Sequence, residues 1–124
     1  MSVSILLASA LLASPEAHVV ATPAGTDHVE VAYVALSEGR NDAAVAELRA
    51  SHLAANGDPA ALINLGSAYA RMGRHDEALV AFRAAMASDA RYDLQLADGS
   101  WMDSRRAARR AAEALDRNTA LAMR

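Results

Sequence analysis

The sequence predicts an all-α fold, a short array of helical hairpins with a small β-hairpin inserted before a C-terminal capping helix. Three observations carry this. The phrase GRNDAAVAELRA at residues 39–50 returns as GRHDEALVAFRA at 73–84, an offset of 34 positions. Alanine is the commonest residue and aromatics supply only 4% of the chain. Ala has the best helix propensity and little volume, so such a chain suits closely approaching helices better than a β-sandwich. Finally, apolar residues recur at helical spacing on both sides of one short stretch that alternates instead.

A chain of 124 residues has room for one small domain with a modest core. Its formal net charge of −3 is too small to name a nucleic-acid or membrane partner. All twelve basic residues are Arg. The absence of Cys excludes disulfides, thiolate catalysis and Cys-based metal sites.

At the N-terminus, Val3 to Ala13 form an uncharged run of eleven residues, VSILLASALLA. That is the length of a secretory apolar segment and falls short of the ~20 residues a spanning helix needs. Small residues, Pro and polar residues follow. The expectation is a signal peptide over residues 1–21, cut near Ala17 or Ala21, with export to the periplasm and no transmembrane span in the mature form. No Lys or Arg precedes the run, and the alternative is an N-terminal amphipathic helix packed on a cytoplasmic domain.

The repeat comes next. The offset pairs Gly39 with Gly73, Arg40 with Arg74, Asp42 with Asp76, Ala44 with Ala78, Leu48 with Phe82 and Arg49 with Arg83. A fixed offset this long marks a copied supersecondary unit. In the second copy Asp58 and Pro59 open a helix as N-cap and first helical residue, Leu62, Leu65, Tyr69 and Met72 recur on one face, and Gly73 ends it. A second helix starts at Asp76, with Ala78, Leu79, Phe82, Ala85 and Met86 spaced to bury one side.

Residues 59–92 resemble a tetratricopeptide repeat, with Leu62, Leu65, Gly66, Tyr69, Gly73, Ala78, Phe82 and Ala85 at the family's positions. Residues 25–58 resemble it more weakly, through Val31, Ala32, Ala35, Gly39, Ala44 and Leu48. Ala32 and Ala35 stand where the family carries Gly and Tyr, so a looser first hairpin is expected. Ala90 replaces the Pro that usually separates repeats.

After Asp89 the period stops. Tyr92, Leu94 and Leu96 alternate with polar residues, and Asp98-Gly99 reads as a type I′ turn pair, predicting a β-hairpin over 93–103 with Trp101 plugged into the helices. Asp103 or Ser104 then caps a basic helix over 104–124 whose stripe is Ala108, Ala111, Ala112, Leu115 and Ala122. It is expected to replace the family's third hairpin and cover the end of the array.

Candidate chemistry is sparse. His18, His28, His52 and His75 never stand at i, i+4, and nothing pairs a nucleophile with a base, so neither metal, cofactor nor enzymatic activity is expected. Asp42, Asp58, Asp76 and Asp103 fall where helix N-termini take acidic residues. The resemblance implies a partner protein or peptide along the inner face of the first helices, where Ile63, Asn64, Ser67 and Arg71 would meet it together with Val29, Glu30, Tyr33 and Ser37. Arg105, Arg106, Arg109 and Arg110 form a basic patch on the last helix, balanced by an available Arg109–Glu113 pairing. No aromatic interleaves these Arg residues to stack on bases, which argues against nucleic acid. The reading is a non-enzymatic adaptor or scaffold of the bacterial periplasm or envelope. A self-associating assembly component, or an anion-binding module using the Arg patch, stands as the alternative.

Overall fold

The computed structural model describes residues 19–21 and 27–123. Among them the chain forms β1 (Val19–Ala21), α1 (Asp27–Ser37), α2 (Asn41–Ala50), α3 (Pro59–Arg71), α4 (His75–Ala87), β2 (Asp93–Leu96), β3 (Trp101–Asp103) and α5 (Ser104–Ala122). Two helical hairpins, α1–α2 and α3–α4, stack with α3 against both helices of the first pair. The expected signal segment lies outside the described residues except for its last three, which form β1. The side chains of His28, Val29, Glu30, Val31 and Ala122, and the whole of His18, also lie outside them.

Both hairpins turn by the same device. Gly39 and Gly73 sit in the left-handed region, at φ +78° and +77°. Arg40 N–H donates to Ala35 O at 2.8 Å and Gly39 N–H to Leu36 O at 3.1 Å, and Arg74 to Tyr69 at 2.9 Å and Gly73 to Ala70 at 3.1 Å repeat the pattern. These paired bonds satisfy the last carbonyls of α1 and α3, and they require a residue without Cβ strain at the Gly. Caps at the helix starts are of two kinds. Asp58 accepts from Ala61 N–H at 2.9 Å and Asp103 from Arg106 N–H at 3.2 Å. Asp42 and Asp76, however, are not caps: Arg40 and Arg74 hold the N-cap positions without side-chain bonds, and the two carboxylates lie in the first turn, facing the positive helix end.

Within the second hairpin, Gly66 of α3 meets the ring of Phe82 of α4. A Cβ at residue 66 would stand 2.5 Å from that ring. In the first hairpin Ala32, Ala35, Leu36, Ala44 and Leu48 are buried. They join Ile63, Ala68, Tyr69, Ala78, Phe82 and Ala85 in one cluster that continues into Leu94, Leu96 and α5. Met72 departs from the expected stripe: α3 ends at Arg71, and Met72, as its C-cap in the turn, is 39% exposed.

The β-hairpin forms where expected, with Asp93 facing Asp103, Leu94 facing Met102 and Gln95 facing Trp101. Its turn is different. Gly99 has φ +87° but Asp98 does not have positive φ, so the turn is not type I′. Gly99 N–H donates to Leu96 O at 2.9 Å and Leu96 N–H to Ser100 O at 2.8 Å, the bonds of a three-residue loop with Gly in a bulge. Asp98 favours this loop by accepting from both Ser100 N–H, at 2.9 Å, and Ser100 Oγ, at 2.6 Å. Trp101 is not a plug into the helices. Leu94 and Leu96 take the inward face of β2 and are buried, and Trp101, beside outward-turned Gln95, is 60% exposed. The sheet also gains a strand, because β1 pairs antiparallel with β2 in the order β1-β2-β3.

Polar bonds fix the hairpin to the helices. Tyr92 OH donates to Asp58, the cap of α3. Ser104 N–H donates to Tyr92 O at 2.9 Å, and Ser104 Oγ accepts from Tyr92 N–H at 3.3 Å. α5 then packs on α4 and α3, burying Ala107, Ala108, Ala111, Ala112 and Leu115. His75 Nδ1 lies 2.8 Å from Thr119 Oγ1, whose own proton goes to Leu115 O at 2.9 Å. The imidazole Nδ1 therefore carries a proton and donates it.

Candidate functional site

The inner face named from the sequence is largely enclosed. Asn64 is fully buried, and Ser67, also buried, donates to Ile63 O at 2.8 Å. Arg71 Nη1 donates to Leu36 O at 2.7 Å, so this guanidinium ties α3 to α1 instead of reaching outward. Its burial pulls its pKa below the ordinary arginine value. Tyr33 is half-buried and Ser37, exposed, donates to Val34 O at 2.8 Å. The structure brings Asn64, Ser67 and Arg71 together along one side of α3. It does so within the packing, with β1 laid against α1 and α3.

An accessible concavity lies elsewhere. Leu62, Leu65 and Tyr69 of α3, Arg49 of α2, and Asp76, Glu77, Val80, Ala81 and Ala84 of α4 line an open, mainly apolar cleft of about 370 Å3. Val80 is 66% exposed in it. At one end Tyr69 is held by two guanidinium groups from different hairpins. Arg49 Nη2 donates to the Tyr69 hydroxyl, and the Arg49 and Arg74 guanidiniums stand 5.7 and 5.0 Å from the ring centroid. Each cation over this nearly buried ring is worth roughly 0.5–2 kcal/mol. Arg74 also forks onto Glu77, Nε to Oε1 and Nη2 to Oε2 both at 2.7 Å. The cleft thus offers apolar contact over a rigid, charge-bounded floor.

Sequence reasoning did not single out this cleft. Its signal lay in the recurrence of Arg40 at position 74 and in Tyr69, which shares a predicted helix face with Leu62 and Leu65. What the sequence could not show is that Arg49 and Arg74 converge on one ring.

The Arg patch is divided. Arg105 is half-buried and its Nη2 donates to Ser88 O at 3.1 Å, closing the helix onto the end of α4. Arg106, Arg109 and Arg110 are exposed on α5. The expected Arg109–Glu113 ion pair does not form. Among the described residues no helix is long and apolar enough to cross a membrane, and no three His or acidic residues gather as metal ligands.

Residues 59–92 match a family model described as Tetratricopeptide repeat. The match begins at the first residue of α3 and runs through α4 to Tyr92. A search of curated proteins and a search of solved structures each returned no significant match.

Proposed function

Taking the tetratricopeptide repeat at residues 59–92 as premise, we propose that this protein is a non-enzymatic interaction module, an adaptor or scaffold that holds another protein in the bacterial periplasm or envelope. The observation that carries the reading is the coincidence of that repeat with a complete helical hairpin stacked on a second one. Repeats of this kind suggest protein partners. The cleft over Leu62, Leu65 and Val80 supplies the exposed apolar surface, and a partner side chain seated there would be desolvated between α2 and α4. Export is supported by the uncharged N-terminal run and the small residues that follow it.

Val80→Asp tests the cleft. Val80 is largely exposed, so the fold should be retained, with a melting temperature within a few degrees of wild type. Capture of a partner from native envelope extract, through a photo-crosslinker placed at Ala84, should be lost. Undiminished capture would sink the cleft assignment. The chain has no Lys, so amine-directed crosslinkers have no side chain to react with. Export is tested by the mass of the N-terminal peptide in the native cell, where an intact Met1 rules it out. The exposed Arg106, Arg109 and Arg110 support a second reading as an anion-binding face. In that case, affinity for anionic vesicles falls steeply with salt.

A further inference from the structure

β1 is the least entrenched element of the sheet. It has three residues and lies at the sheet edge. Its register against β2 shifts, with Val19 facing Leu96 and Ala21 facing Gln95. So short a strand has few ladder bonds, and an irregular register weakens them further. Its position is nevertheless specific. β1 runs beside β2 and packs on both α1 and α3, the helices whose inner faces carry Tyr33, Asn64, Ser67 and Arg71. It is an extended peptide laid across the first helix of each hairpin.

We propose that the edge of β2, with the adjoining faces of α1 and α3, is a strand-accepting site for an extended peptide of small and β-branched residues, and that Val19–Ala21 is its exchangeable resident. Main-chain bonds to β2 supply the affinity and tolerate sequence variation; the resident's own sequence, Val-Val-Ala, is rich in the β-branched residues that strands favour. Being tethered, the resident competes at an effective concentration in roughly the millimolar range. Free peptide therefore gains access when the resident is weakened or removed, and cleavage after Ala21 would remove it. The inference rests on the reading of the chain as a protein-binding module. It concerns a different face from the cleft, so the two fail separately.

The test uses the full chain and a fluorophore-labelled peptide with the sequence of residues 17–23, Ala-His-Val-Val-Ala-Thr-Pro. Ala21→Cys with Gln95→Cys places two thiols opposite each other in an antiparallel pair, at a separation a disulfide spans. The chain has no other Cys, so oxidation locks β1 onto β2 alone. Fluorescence anisotropy should show the reduced protein taking up the peptide and the oxidised protein binding it about tenfold or more weakly, as the resident can no longer leave. Val19→Pro with Ala21→Pro, which weakens the resident at both paired positions, should bind about tenfold or more tightly than wild type. Equal binding by locked and reduced protein, or no binding by any variant whose helical circular dichroism is intact, overturns the proposal. Val80→Asp should leave this uptake unchanged, whereas in the envelope assay it removes capture.

Discussion

At Gly66 two effects of opposite sign compete. Replacing Gly by Ala inside a helix gains about 1 kcal/mol of propensity, but here the new methyl would lie 2.5 Å from the buried Phe82 ring. Overpacking of this kind costs about 1–3 kcal/mol, and a ring held on all sides cannot turn aside cheaply. Gly66→Ala should therefore destabilise the protein by up to about 2 kcal/mol, and Gly66→Ala with Phe82→Leu should recover part of the loss, both read from chemical denaturation. The close approach was legible from the repeat pattern. Tyr92 shows the opposite case: its bond to Asp58 joins residues 34 positions apart, and nothing local in the sequence points to it. Burial, and then that bond, raise the Tyr92 phenol above its ordinary pKa. Its contribution to stability is full below the unfolded value of about 10 and is lost as pH rises beyond it. Tyr92→Phe should lower stability by about 1 kcal/mol at neutral pH and flatten the decline above pH 10 in thermal melts.

At the scale of elements, helix starts, helix ends and hairpin were largely readable because each rests on a local device. Asp58-Pro59, Gly39 and Gly73 act within a few residues of themselves. The turn type was misread because Asp-Gly also serves a loop in which only the Gly is left-handed, and Asp98 has partners in Ser100 that a type I′ reading does not anticipate. Trp101 was misassigned because alternation specifies two faces without saying which is inward; Leu94 and Leu96 together bury more apolar surface. The hairpin is also where acid acts. Asp98 is held below its ordinary pKa by Ser100, and Asp103 by Arg91, whose Nε lies 2.8 Å away. Depressed carboxylates contribute fully above the unfolded value near 4, and the contribution disappears as pH falls through the lower folded values. Carboxyl resonances followed by NMR should show Asp103 titrating higher in Arg91→Ala, with Asp98 unchanged.

The whole molecule holds what no window of sequence contains. Asn64, Ser67 and Arg71 share one side of α3, but the burial of Asn64 and Ser67 against the packed neighbours is a product of assembly. Likewise the bond between His75, at the start of α4, and Thr119, near the end of α5, fixes how the last helix lies over the last hairpin. Thr119→Val should lower the melting temperature by about 3–8 °C, the range for a lost bond of about 1 kcal/mol in a chain of this size. His75→Ala combined with it should add little more, because both remove the same contact.

That β2, β3 and α5 follow the second hairpin bears on how such a chain can evolve in length. The surface on which another copy would stack is occupied by the Ala107–Leu115 stripe, and the outward side of α5 carries Arg106, Arg109, Arg110, Glu113, Asp116 and Arg117. A duplicated hairpin following α5 would meet mainly this charged side, with Leu121 and Met123 as the exposed apolar residues near its end. Insertion of a copy between Ser51 and Asp58, where α2 hands over to α3, would instead set it between two apolar faces.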